Sequence, residues 1–145
     1  MTVERDRNGV EVLGPDECVR LLRTRSVGRI GISSRALPTI LPVDYVVAGR
    51  RVLFRTGAGT KLDAATRGAV VAFEVDDVDE ARGTAWSVVV TGVAAACGTE
   101  EAAGADLTRL RRWVPGDDGH LVAISLDEVA GRRLARRPEP GGDRS

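Results

Sequence analysis

Apolar residues recur along this chain mostly with a period of two, interrupted by a few stretches of helical spacing. Val27-Gly-Arg-Ile-Gly-Ile alternates apolar with small or charged positions and predicts a strand. Pro38 to Val47 predicts a second strand and Arg51 to Thr56 a third, with Ala48-Gly49 as the tight turn between them. Pro42 has no amide proton to give a sheet ladder, so its strand belongs at an edge, a bulge or a ligand-facing position. Ala69 to Val75 and Trp86 to Ala96 predict two more strands. In the longer one, Trp86, Val88, Val90 and Gly92 share one face, and Ser87, Val89, Thr91 and Val93 the other. Leu121 to Leu126 predicts a last regular strand, followed by Glu128 to Leu134 as a short extended segment.

Helical spacing is confined to three places. Gly14-Pro15-Asp16-Glu17 reads as a helix start, with Pro15 at the first helical position and Cys18, Leu21 and Leu22 as the apolar face. Thr60 to Arg67 predicts a short helix closed by Gly68, and Glu100 to Arg112 a longer one with Ala103, Leu107 and Leu110 as its stripe. Six or seven short strands with three flanking helices predict a mainly β, barrel-type domain rather than a parallel sheet alternating with helices. That domain spans 14–134. Residues 1–13 are expected to form a flexible N-terminal segment, and 135–145, ending in PEPGGDRS, a disordered tail.

Composition narrows the function classes. The chain has 145 residues, 43% hydrophobic and 29% charged, which suits one globular domain. No apolar run approaches the roughly 18 residues of a membrane span, and MTVERDRNGVEV has no signal-type stretch, so a cytoplasmic location is expected. Formal net charge is +0, which gives no bulk reason for nucleic-acid binding. Cys18 and Cys97 lie far apart and His120 is the only histidine, so no metal site is expected. The two cysteines read as core residues, His120 as a strand-edge histidine, and Trp113 as packing at a barrel end. No GxSxG elbow accompanies His120. Acidic EVDDVDE (74–80) and basic GRRLARR (131–137) read as a solvated loop and tail, or as contacts with a partner chain. Of 21 basic residues, 20 are arginine, which leaves Lys61 as the only lysine. An ammonium group is a compact point charge that a planar guanidinium does not replace in a tight phosphate pocket.

The densest candidate chemistry is FRTGAGTKL, Phe54 to Leu62. A strand ends at Arg55-Thr56, a glycine-bearing turn follows, and a helix begins near Thr60. Such a junction offers backbone amides to an anion, with Arg55, Thr56, Thr60 and Lys61 as added donors. The same pattern also fits a plain strand–turn–helix junction, in which Thr60 caps the helix and Asp63 completes a box. It is not a nucleotide P-loop, because the GK pair and the glycine spacing are missing.

LPVDYVV…RVLFRTGAGTKL, followed by VVAFEVDDVD and WSVVVTGVA, resembles the pyridoxamine 5′-phosphate oxidase-like FMN-binding family, in particular its small actinobacterial-type members. The resemblance runs from about Gly14 to Leu134. It implies an FMN-binding split β-barrel and a homodimer with flavin at the subunit interface. By position it implies that Pro42, Val43 and Asp44 meet the flavin ring edge, and that Arg55, Thr56, Thr60 and Lys61 hold the ribityl phosphate. Ser87, with Trp86 beside it, matches a polar position that reaches the flavin across the dimer. The implied activity is an FMN-dependent oxidoreductase acting on a small molecule. Relatives that carry or sense flavin without turnover, or that bind deazaflavin or haem, mark the alternatives. The tryptophan- and arginine-bearing C-terminal motifs of the true oxidase have no recognisable copy here, so the resemblance does not extend to pyridoxamine phosphate oxidation. Gly131-Arg132-Arg133 is typical of the close subgroup, with no ligand assigned to it.

Overall fold

The computed structural model describes residues 3–102, 104–111 and 119–136. The period-two segments form strands β1 (Glu11–Leu13), β2 (Val27–Ser34), β3 (Leu37–Asp44), β4 (Val46–Ala48), β5 (Arg51–Thr56), β6 (Val70–Asp79), β7 (Thr84–Ala96), β8 (His120–Ser125) and β9 (Val129–Ala135). Helices α1 (Pro15–Leu22) and α2 (Lys61–Ala65) and one 3-10 turn (Leu107–Arg109) complete the described elements. Every pairing is antiparallel, in the order β3-β2-β6-β7-β8-β5-β4, with β9 joining β7 and β1 joining β9. The sheet curls into a half-barrel.

Alternation decides what the curl encloses. Ile30 and Ile32 of β2, Phe73 and Val75 of β6, Val88 and Val90 of β7, and Val52 and Phe54 of β5 point inward onto Leu21 and Leu22 of α1. Tyr45 packs edge-on against Phe73, with ring centroids 5.0 Å apart. A smaller cluster forms where the segment after β7 covers the opposite face of β5 and β8, through Val46, Leu53, Cys97, Ala102, Leu110, Leu121 and Ala123. Both cysteines are buried and unpaired, as expected of core residues. Pro42 sits on β3, the terminal strand of the sheet order, where a missing amide donor is tolerated.

Several expectations are corrected. The helix expected over 100–112 is replaced, in its described part, by turns and the Leu107–Arg109 turn. Gly104 (φ +90°) breaks the helical path, and the Asp106 carboxylate accepts from the Thr108 amide to start a new turn. The acidic run 74–80 is not a loop: β6 continues to Asp79 in register with β7. The strand expected over 38–47 is divided at Tyr45, whose hydroxyl donates to the Leu22 carbonyl at 2.5 Å and whose amide donates to Ser26 O. The helix expected over 60–67 contracts to Lys61–Ala65. Trp113 and residues 137–145 lie outside the described residues.

Gly131-Arg132-Arg133 is part of the sheet, and two of its three residues have a structural role. Arg133 of β9 donates to Glu11 of β1 (2.9 Å) and to Glu17 of α1 (3.0 Å), joining strand to helix. Arg20 and Arg133, bonded to the Glu17 carboxylate, hold it down at about 2. Gly131 is where α1 presses on the sheet: a Cβ there would stand 2.6 Å from Cys18 Sγ and 3.3 Å from Leu13 Cδ1. Gly131→Ala is therefore expected to destabilise by about 1–3 kcal/mol, the usual cost of overpacking a core. Adding Cys18→Ala removes the obstructing sulfur, so chemical denaturation should find the double variant less destabilised than the two single losses summed.

Candidate functional site

On β5 the side chains alternate, so Thr56 turns inward with Phe54 while Arg55 turns to the opposite face with Leu53. Thr56 is fully buried, and its hydroxyl donates to Asp63 Oδ1 at 2.8 Å. Asp63, only 2% exposed, gathers the whole junction. Its carboxylate also accepts from the Gly59 amide (3.1 Å), from Arg67 (2.9 Å) and from His120 Nδ1 (2.6 Å). Burial pushes the Asp63 carboxyl up, but the bonds from His120, Thr56, Gly59 and Arg67 prevail and hold it below the ordinary carboxylate range. An ionised carboxylate only accepts, so Nδ1 of His120 carries the proton of this bond. Thr60 caps α2: its hydroxyl accepts from the Asp63 amide (3.1 Å) and donates to Gly57 O (2.7 Å).

The junction thus fills part of its anion-binding capacity with its own carboxylate. The hydroxyls of Thr56 and Thr60 and the amides of Gly59 and Asp63 are all engaged internally. The side chains of Arg55, half-buried, and Lys61, exposed, have no hydrogen bond or ion pair among the described residues. They flank the turn, one at the end of β5 and the other at the first residue of α2.

The remaining sequence-predicted residues lie on the sheet. Register places Pro42 opposite Arg29, Arg29 opposite Glu74 and Glu74 opposite Val89, all on the outward face. Ser87 lies one step along, between Asp76 and Arg132. Asp44, opposite Val27 on this face, accepts from the Arg111 amide at 3.3 Å. Val43 points the other way, into the core, so only its backbone is open to a ligand. Trp86 is half-buried against the same core, with the Arg25 guanidinium 5.8 Å above its ring. β2 and β6 separate Pro42 from Ser87 within one chain, about 14 Å at the usual strand spacing.

That outward face is apolar over much of its area. Ile40 is 73% exposed, Val70 66% and Val93 52%, with Val89 and Leu134 also open to solvent. Glu74 lies among them. Among the described residues its Oε1 is buried without a hydrogen-bond partner, and its cation is Arg29, 3.6 Å away and shared with Asp76 at 3.5 Å.

The reading of Thr60 as a cap with Asp63 completing the box, and of His120 as a strand-edge histidine, is borne out, but sequence reasoning missed that Asp63 joins His120, Thr56 and Arg67, and missed Glu74. The pairing of His120 with Thr56 brings together residues 64 positions apart, and no local pattern reports it. Two open grooves, one along Arg23, Arg50 and Arg51 and the other along Tyr45 and Arg109, are lined by none of the nine sequence-predicted residues.

The sequence profile of the pyridoxamine 5′-phosphate oxidase family matches residues 14–133. The uncharacterized protein Rv0080 of Mycobacterium tuberculosis is 39% identical over 127 residues, covering 84% of this chain and 84% of that protein. The FAD binding protein of Mycobacterium smegmatis superposes with a TM-score of 0.67 at 34% identity, covering 86% of this chain and 98% of that one. A FAD-binding protein of Mesorhizobium loti shares the fold, with a TM-score of 0.70 at 22% identity over 87% of this chain and 99% of its own.

Proposed function

The chain belongs to the pyridoxamine 5′-phosphate oxidase family, and from that premise we propose that it is a flavin-dependent oxidoreductase gripping the flavin's ribityl phosphate with Arg55 and Lys61. The observation that carries this reading is the pair of cations beside the Gly57–Thr60 turn, neither with a partner among the described residues. A half-buried guanidinium is costly to leave unpaired, and a phosphate dianion matches both charges. FMN carries that phosphate as a terminal dianion, whereas FAD carries it inside a diphosphate with one charge on each phosphorus. FMN is the minimal ligand, and the FAD-binding relative at 34% identity supports a flavin of either length. Bound flavin supplies hydride-transfer chemistry, while the protein supplies placement and electrostatics.

In this reading Thr56 and Thr60 act indirectly: they fix the turn through Asp63 and Gly57 and so hold the backbone between the two cations. Pro42, the Val43 backbone and Asp44 line the ring edge. Ser87 contributes from a second subunit, because one chain does not bring it next to Pro42, while Trp86, turned to its own core, supports Ser87 from behind the strand. The exposed apolar residues on the outward face support such a homodimer, since monomers seldom leave contiguous apolar area open.

Titrating the apoprotein with FMN and with FAD tests the grip. Lys61→Ala should weaken binding by about tenfold or more, the worth of one charge-assisted bond of about 1.5–3 kcal/mol. An affinity unchanged within twofold would remove Lys61 from the site. NAD(P)H-driven reduction of an electron acceptor separates the oxidoreductase from a carrier: full flavin occupancy without turnover leaves a binding protein. A Soret band, or a spectrum lacking the long-wavelength flavin band, would redirect the reading to haem or deazaflavin.

A further inference from the structure

We propose that the groove between the β4–β5 turn, the end of α1 and the 3-10 turn is a second anion site, which takes a diphosphate group, free or carried by a nucleotide. It stands apart from the flavin grip and does not depend on it.

The cations come from three elements. Arg50 and Arg51 follow the β4–β5 turn, Arg23 and Arg25 follow α1, and Arg109 closes the 3-10 turn. Arg23, Arg50 and Arg51 line a hollow of about 430 Å³, a size typical of small-ligand sites. Arg23, Arg25 and Arg109 line a smaller one of about 200 Å³. Val47, Gly104 and Ala105 belong to both, as Arg23 does, so the two hollows run together with Arg23 at their junction. Ala48, Gly49, Gly104 and Ala105 give the walls little side-chain bulk, which keeps the space open.

The charges along this groove do not balance. Among the described residues two carboxylates line it, Glu101 and Asp106, against five guanidiniums. Glu101 is taken by Arg51, which lies 3.6 Å from its Oε2 and donates to its carbonyl at 2.6 Å. Asp106 is taken by the 3-10 turn, where it accepts from the amide and the hydroxyl of Thr108. Arg25 is paired with Asp77 of β6. Arg23 donates only to the Val47 carbonyl, at 3.5 Å. The side chains of Arg50 and Arg109 have no hydrogen bond or ion pair among the described residues. Three guanidiniums therefore line one groove with no carboxylate partner, in a chain whose formal net charge is +0. Like charges around a concavity repel one another and focus a positive potential, which a bound anion relieves. The planar fork of a guanidinium meets two phosphate oxygens at once. Spread over both hollows, these cations match two linked phosphates better than one.

The groove is not an extension of the flavin grip. Arg51 and Arg55 share one face of β5 but stand about 13 Å apart along the strand. Between them Leu53 is packed with Cys97, Ala102 and Leu110. A flavin phosphate held by Arg55 has its neighbouring phosphate one bridging oxygen away, far short of Arg50.

Calorimetric titration of the full chain with inorganic diphosphate, ADP and NADP+, at an ionic strength of about 0.15 M, tests the site. Binding should saturate at one equivalent, and the double variant Arg50→Ala/Arg109→Ala should weaken it by about tenfold or more. Both side chains are exposed, so circular dichroism should find the variant folded. Lys61→Ala should bind diphosphate as wild type does, and the double variant should keep its FMN affinity. Tighter binding of ADP or NADP+ than of inorganic diphosphate makes a nucleotide the source, and equal binding makes it diphosphate itself. No saturable binding at millimolar concentration, or an affinity unchanged in the double variant, overturns the proposal and leaves the flavin reading standing. Loss in Lys61→Ala alone would put the diphosphate in the flavin grip and overturn it equally.

Discussion

Asp63→Ala should lower the unfolding free energy by about 2–4 kcal/mol and weaken flavin binding at the same time. Removing one partner of a buried ion pair commonly costs about 3–5 kcal/mol, because the other charge stays buried without compensation. Here Arg67 and His120 each keep a solvent-facing side, 66% and 51% exposed, which trims the loss. The Thr56 hydroxyl does not have that escape: it is fully buried, and its other acceptor, the His120 carbonyl, lies at 3.5 Å. The Gly59 amide also loses its acceptor, so the turn between Arg55 and Lys61 loosens. The pH dependence follows from sign. A carboxyl held below its usual range stabilises the fold at all pH above the ordinary aspartate value of 3.8 and withdraws that support as pH falls below it. Urea denaturation between pH 7 and pH 2.5 should show the variant and wild type converging at the acid end. Parallel curves would mean that the carboxylate does not organise the junction.

Legibility in the sequence followed the range of the interactions. Strand positions were readable because a half-buried strand must alternate, and β2, β5 and β7 lie where alternation placed them. Pro42 announced an edge strand for a purely local reason. The cap by Thr60 and the cation pair Arg55 and Lys61 could also be seen, since each is a matter of neighbours within seven residues. Helical spacing misled at 100–112, where Leu110 is buried as foreseen but Gly104 and Asp106 impose turns. The acidic run 74–80 misled in another way. Charge suggested solvent, yet β6 carries Glu74 and Asp76 on a sheet face whose neighbours come from β2 and β7. Long-range partners were out of reach altogether. Asp63 meets His120 across 57 positions, and Gly131 meets Cys18 across a helix–sheet contact that no periodicity describes. The residues hidden from the sequence are therefore those whose partners lie far away along the chain, and the visible ones are those whose role is set by near neighbours.

The contact between β8 and the end of β5 sets the largest single effect. Gly119 precedes His120 with φ +58°, and a Cβ at that position would fall 1.5 Å from the Thr56 carbonyl oxygen and 2.6 Å from its carbon. Backbone cannot give way as a flexible side-chain tip can, so Gly119→Ala must part β8 from β5 at the pair Thr56–His120. We expect a loss of more than about 4 kcal/mol, in the range that marks disruption of a packed core or backbone contact. Gly49→Ala provides the matched control. Gly49 has φ +59° with nothing within 4 Å of its virtual Cβ, so it bears only the left-handed backbone cost of about 1–2 kcal/mol. The excess of the Gly119 variant over the Gly49 variant measures the steric contact alone. It should be accompanied by loss of flavin affinity, because parting the strands pulls His120 from Asp63 and shifts the carbonyl of Thr56, the residue between Arg55 and the turn. Equal losses in the two variants would mean that β8 does not rest on Thr56, and the Asp63–His120 bond one residue further on would lose the support that holds it.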